Sequence, residues 1–238
     1  MLSVIGNVAV GLLTSLIGLG LGALWERGRQ TRKLYRKAAF FGTRPGDPCV
    51  LVAGTKHGQS ETVHQRDLRA VVELSVLLGE LGCPVSVESG ELRGTNGDRT
   101  EFCVGGPIGG ANPRTGGHLT ACLPGVTITP FGDRPDSMAI VVGGERYYFD
   151  RGHQEYAVVA KFRPPESSRP VVLVCGQSSV ANQAAVHFLR REYAEVARSV
   201  ASLDQYCLLI KVSHIEVYAF HRSVLERDVS AEAFAAAE

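Results

Sequence analysis

Three polar, glycine-bearing segments carry the side chains best suited to hold or transform a ligand. The first, Gly54-Thr55-Lys56-His57-Gly58-Gln59-Ser60-Glu61, offers an ammonium, an imidazole and two hydroxyls within eight residues. The second, residues 105–117 (GGPIGGANPRTGG), has Gly105, Gly106, Gly109 and Gly110, whose bare backbone lets main-chain amides approach an anion, followed by Asn112 and Arg114. The third is Gly176-Gln177-Ser178-Ser179, with Asn182 one turn further on. Either serine can cap a helix there, and a helix amino terminus favours negative charge. Gly54, Thr55, Lys56, Ser60, Gly105, Gly106, Gly109, Asn112, Arg114, Gly176, Ser178, Ser179 and Asn182 therefore form the candidate set for an anionic ligand, a phosphorylated small molecule or a nucleotide. Serine caps and glycine turns also end ordinary helices and strands.

For catalysis the candidates are His57, Lys56 and Ser178. Histidine titrates near neutrality, and Glu61 or Asp67 could fix its tautomer. Ser178 follows a strand-like run and precedes a helical one, the setting of a nucleophile elbow, but Val180 stands where GxSxG needs glycine. His118, His153 or His214 with Asp150 or Glu155 could complete a triad, and no spacing selects among them. The phosphate motifs are broken too. Gln59 follows Gly58 where a P-loop has lysine, and Pro107 replaces the second glycine of GxGxxG. The seven histidines show no HxH or HExxH clustering and the six cysteines no CxxC pair, so no metal site is expected.

The elements that must position these loops read as alternating α and β. Residues 50–54 (VLVAG) are a short apolar run closed by glycine, a buried strand. From 66 to 81 the apolar positions follow a helical period and stop at Gly82, and 84–87 begin a second strand. That strand, helix, strand unit builds parallel sheets. A third strand is expected at 101–105. Residues 139–142 and 145–149 flank Gly143-Gly144, a two-residue hairpin signal, and 155–162 continue the β run. Residues 171–174 read as another buried strand, 180–200 as a long amphipathic helix, and 208–212 with 215–220 as two closing strands. The fold class is α/β, a three-layer Rossmann-like or flavodoxin-like domain with an inserted antiparallel hairpin. In such sheets the ligand crevice lies outside the carboxyl ends of the strands, so all three loops meet there if their strands are neighbours.

Ahead of this domain, residues 2–25 carry no charge. A helix of that length rises roughly 36 Å, enough for a hydrocarbon core of about 30 Å. No positive segment precedes it, as a signal peptide would need. Seven basic residues against Glu26 alone follow at 26–44, so the amino terminus is expected outside and the rest in the cytoplasm. The layout is a transmembrane helix at 2–25, a basic juxtamembrane stalk at 26–47 able to meet anionic lipid, a cytosolic domain at 48–229 and a flexible tail at 230–238. Gly11, Ser15, Gly18 and Gly22 set small residues along one helical face, a surface through which the anchor could form a homo-oligomer.

Overall the chain has 25 basic and 24 acidic residues; beyond Arg44 the balance is 18 to 23. A mildly acidic domain is a poor nucleic-acid binder. The cysteines are scattered, and those at 103, 175 and 207 lie in β-rich runs where a free thiol behaves as a small apolar group. That usage suits a reducing compartment.

One anchor, a basic stalk and one α/β domain with the loops GTKHGQSE, GGPIGGANPRTGG and VLVCGQSS give a plan that resembles the bacterial single-pass membrane sensors and effectors whose cytosolic Rossmann-like domain senses a nucleotide. The signatures of the LOG-like and TIR-like members are not matched residue by residue. The resemblance implies a ligand-binding sensor or effector at the membrane. The rival readings are a membrane-associated enzyme acting on a nucleotide or sugar-phosphate, and a protein-interaction module without a small ligand. Arginine outnumbers lysine 20 to 5, consistent with a GC-rich genome.

Overall fold

The computed structural model describes residues 2–56, 59–63, 67–90, 96–107 and 112–235, and the side chains of all but 2–17, 55–56 and 59–63 of these. The chain divides into two units at residues 37 and 38. The first is most of a 39-residue helix, α1 (Leu2–Phe40), which continues through the apolar segment and the basic cluster without a break. From Gly18 to Arg32 its side chains are exposed, Leu19, Leu21, Leu24 and Trp25 among them. Among the described residues no helix is long and apolar enough to cross a membrane. Side chains 2–17, including Gly11 and Ser15 of the small-residue face, lie outside the description.

The second unit is built on a seven-stranded sheet. Its strands, in chain order, are β1 (Cys49–Ala53), β4 (Val85–Ser89), β5 (Thr100–Val104), β9 (Gln154–Phe162), β10 (Val171–Gly176), β11 (Tyr206–Ser213) and β12 (Ser223–Asp228). Their spatial order is β12-β11-β9-β10-β5-β1-β4. β4, β1, β5 and β10 pair in parallel, and β9, β11 and β12 follow antiparallel, so five of the seven point one way. A mostly parallel sheet of this order is compatible with a Rossmann-like fold. Its central strands β1, β5 and β10 are short and buried along their whole length, apolar in β1 and β10 and carrying Thr100 and Glu101 in β5. Edge strand β4 is partly exposed instead. Between β1 and β4 runs α2 (Leu68–Glu80), whose Ala70, Val71, Leu74, Leu77 and Leu78 bury one stripe. It packs on α4 (Ser179–Ser199) over one face of the sheet.

The other face carries α3 (Pro113–Cys122) and a separate three-stranded sheet of β6 (Val126–Ile128), β7 (Ile140–Val142) and β8 (Glu145–Tyr147). Leu119, Leu123, Ile140 and Tyr147 pack there against Val50, Cys103 and Leu173. The β7–β8 turn is Gly143-Gly144 with φ of 56° and 86°, the paired left-handed conformation a two-residue hairpin requires. A further small hairpin joins β2 (Thr55–Lys56) to β3 (Gln59–Val63). The six cysteines are free, and all but Cys122 are buried.

Three expectations are corrected. Residues 215–220 are not a strand: His214 takes a left-handed turn and opens the short helix α5 (Ile215–Tyr218), and the closing strand is β12. The second loop is shorter than its glycines suggested, because Asn112 caps α3 by accepting from the Thr115 amide at 3.2 Å, and Pro113 fits the first helical position. The expected flexible tail begins instead as α6 (Ser230–Phe234), since Val229 and Ala233 are buried and the Ala233 carbonyl accepts from the Gly125 amide at 3.1 Å.

The end of α1 belongs to this second unit. Phe40 is fully buried, stacked on Tyr206 with ring centroids 5.1 Å apart. Tyr206 donates to the Phe40 carbonyl at 3.1 Å, and buried Lys161 of β9 donates to the carbonyls of Ala39 and Phe40 at 2.6 and 3.3 Å. Carbonyls at a helix carboxyl terminus lack intrahelical donors, and a cation is the favoured partner. Burial lowers the Lys161 ammonium to a pKa of about 8.

Candidate functional site

The carboxyl ends of β1, β5 and β10 are neighbours in the sheet, so the first residues of their loops lie side by side. The Gly54 amide donates to the Val104 carbonyl at 3.3 Å and the Gly105 amide to that of Val174 at 3.0 Å. A Cβ on Gly106 would sit 3.5 Å from the Gly176 carbonyl oxygen. The order reverses here too, because α2 leads from β1 outward to β4, whereas β5 lies on the other side of β1. This is a topological switch point.

Among the described candidates, Asn112, Asn182 and Arg114 make bonds that hold the fold together. Asn112 is fully buried and donates to the Val104 carbonyl at 2.8 Å besides capping α3. Asn182 accepts from the Gly176 amide at 2.6 Å and donates to Asp67 at 3.0 Å, tying the amino ends of α4 and α2 together. The Arg114 guanidinium grips Glu101 with bonds of 2.9 and 2.8 Å. His118 completes that cluster at 2.8 Å from Glu101, so its carboxylate partner is Glu101 and not Asp150 or Glu155. Burial alone would raise the Glu101 pKa, but the bonds from Arg114 and His118 outweigh it and hold the carboxyl at about 2. Thr55, Lys56 and Ser60 fall on the β2–β3 hairpin, with side chains outside the description. His57 and Gly109 lie outside the described residues altogether.

The cavity lies to one side of the switch point, over β9, β10 and the start of α4. It measures about 770 Å3 and is lined by Leu68 and Arg69 of α2, Phe131, Met138 and Phe149 from the small sheet's loops, Arg151, Gly152 and Glu155, then Ser178, Ser179, Val180 and Gln183, with Ile215. Of the candidate ligand-binding residues whose side chains are described, Ser178 and Ser179 line it. Ser178 caps α4, accepting from the amides of Val180 and Ala181 at 3.1 and 3.2 Å, and donates to Glu155. Its hydroxyl therefore has a carboxylate, not an imidazole, as acceptor. His153 and His214 are exposed. Burial pushes the Glu155 carboxyl above its ordinary value, opposed by the Ser178 hydroxyl, the Gly152 amide and the Arg151 charge. Gln177 holds the β10–α4 loop in place, accepting from the Tyr156 amide at 2.8 Å and donating to the carbonyls of Met138 and Tyr147 at 3.1 and 2.8 Å.

Arg69, Arg151 and Gln177 were missed from sequence. The first two sit at the start of α2 and in the turn before β9, outside the glycine-rich loops, and only the fold brings them to one wall. Gln177 sits inside a quoted motif, between Gly176 and Ser178. Its buried amide is a signal that such a loop must be pinned by something, but its partners are remote in sequence.

No protein-family model matches the chain, and no curated protein matches it in sequence. Among the described residues no group of three or more His, Cys, Asp or Glu is placed to hold a metal ion.

Proposed function

We propose that this chain is a membrane-anchored sensor or effector whose cytosolic domain binds an anionic small molecule with an apolar or planar part, a nucleotide or another phosphorylated compound. The observation that carries the reading is the cavity at the carboxyl edge. It joins the amino end of α4 and the guanidinium groups of Arg69 and Arg151 to walls of Phe131, Met138, Phe149 and Ile215. Arginines and the positive end of a helix dipole suit phosphate oxygens, while aromatic and aliphatic side chains suit a base or another flat group.

A panel of radiolabelled nucleotides and sugar-phosphates, applied to the full chain in detergent, tests this reading. The double variant Arg69→Ala with Arg151→Ala is expected to bind the panel's best ligand at least tenfold more weakly, since one charge-assisted hydrogen bond contributes about 1.5–3 kcal/mol. Its melting temperature should stay close to that of the unaltered protein, because both side chains are exposed. A panel without a binder, or equal binding by the variant, rejects the assignment.

The anchor reading rests on the uncharged segment 2–25, the basic residues after it and the exposed Leu19, Leu21, Leu24 and Trp25. Gly18 and Gly22 have nothing within 4 Å of an added Cβ, which leaves that face open to a second helix. The full chain is expected in the membrane fraction after alkaline carbonate washing. Glycine-to-leucine changes at 18 and 22 should lower crosslinked dimer without releasing the protein. Release of the unaltered chain by carbonate would remove the anchor.

A further inference from the structure

We propose that anion binding in this cavity is coupled to uptake of one proton by Glu155, so that the site takes its ligand as anion plus proton. The inference rests on the cavity reading above and specifies how that site is regulated. Glu155 is 3% exposed, lines the cavity and receives the hydroxyl of Ser178, the residue that caps α4. Its carboxylate thus occupies the corner where the α4 amino terminus would attract a ligand's negative charge. Two anions brought together in one corner repel, and the cheaper state protonates one of them.

The neighbours leave Glu155 as the group that gives way. Arg151, in the turn before β9, favours its charged form, as do the Gly152 amide and the Ser178 hydroxyl, yet burial outweighs all three and already raises its pKa. Arg69 faces the cavity from α2, and Asp67 behind it is bonded to Asn182. From α5, Glu216 packs against Gly152, whose added Cβ would lie 3.0 Å from its carboxylate oxygen. Val212 of β11 pairs with Glu155 and carries no charge, while the neighbouring Lys211 lies 3.8 Å from Glu226. His153 and His214 are exposed. A ligand anion adds to the burial of Glu155 and to the negative charge near it, so both effects push its pKa further up. No covalent bond changes; the proton comes from solvent and returns when the ligand leaves.

The test is equilibrium dialysis of radiolabelled sulfate, which does not titrate between pH 5 and 9, against the full chain in detergent at fixed ionic strength. Sulfate affinity is expected to fall towards tenfold per pH unit once Glu155 is ionised in the free protein. In Glu155→Gln it should be at least tenfold tighter than in the unaltered protein at the upper end of the range, and flat with pH. A Glu155→Gln protein with the same affinity and the same pH slope as the original overturns the proton coupling and leaves the cavity reading standing. Sulfate binding that is undiminished in the Arg69→Ala, Arg151→Ala variant, or absent from every form at every pH, overturns both.

Discussion

Glu101→Ala is expected to destabilise the domain by about 3–5 kcal/mol, enough to leave little of a typical domain's stability. Glu101 is fully buried on β5, and its side chain is the acceptor for Arg114 and His118. Alanine would leave the Arg114 guanidinium, 16% exposed, beside the core without a counter-charge. It would also empty space next to Phe162, against whose ring His118 packs with centroids 5.6 Å apart. Urea denaturation at pH 7 measures the loss. The same carboxylate sets an acid limit. Its folded pKa, about 2, lies below the ordinary 4.5, so the stability it contributes is complete above 4.5 and disappears as pH falls through 2. That difference corresponds to about 3 kcal/mol. In Glu101→Gln the acid limb should flatten over this window, and a wild-type slope retained in the glutamine variant would show that other carboxylates cause it.

Gly176→Val is expected to cost about 3 kcal/mol and to abolish ligand binding in the cavity. The first atom of any side chain there would lie 2.8 Å from the Ala181 Cβ and 2.9 Å from both the amide nitrogen and the side-chain oxygen of Asn182. None of these can retreat alone, because Asn182 is fixed by the Gly176 amide and by Asp67. The amino end of α4 must shift, and Ser178 with it. Gly106→Ala is the control, since its Cβ meets the Gly176 oxygen at 3.5 Å, an ordinary contact. Thermal unfolding and the ligand panel should separate the two variants. Unchanged binding in Gly176→Val would mean that the start of α4 takes no part in the site.

The elements legible in the sequence are those whose pattern is local. The buried runs at β1 and β10, the apolar stripe of α2 with its stop at Gly82, and the Gly143-Gly144 turn each follow from neighbouring residues alone. Residues 215–220 misled because their apolar content resembles a strand, while the turn at His214 is held by the hydrogen bond its backbone N–H donates to the distant His153 carbonyl at 2.6 Å. The Asn112-Pro113 start of α3 was readable as a cap followed by proline, and the surrounding glycines hid it. For the site, glycine content drew attention to the loops, and the fold brings those loops together. Which side chains then face a ligand depends on pairings across more than ten residues. Arg114 finds Glu101, Asn182 finds Asp67 and Ser178 finds Glu155, and local composition encodes none of these.

Strand β9 has Glu155 and Lys161 on the same face, toward α4. Glu155 stands in the cavity at the carboxyl edge, and Lys161 holds the last carbonyls of α1 at the opposite edge. Six residues of extended backbone separate them by about 20 Å. The strand pairs with β11 from Gln154 to Lys161 and with β10 from Ala157 to Phe162, so both neighbours hold it between Ala157 and Lys161. Over that stretch it is a strut, expected to shift as one piece and not to bend. The cavity and the carboxyl end of α1 thus sit at opposite ends of one strand.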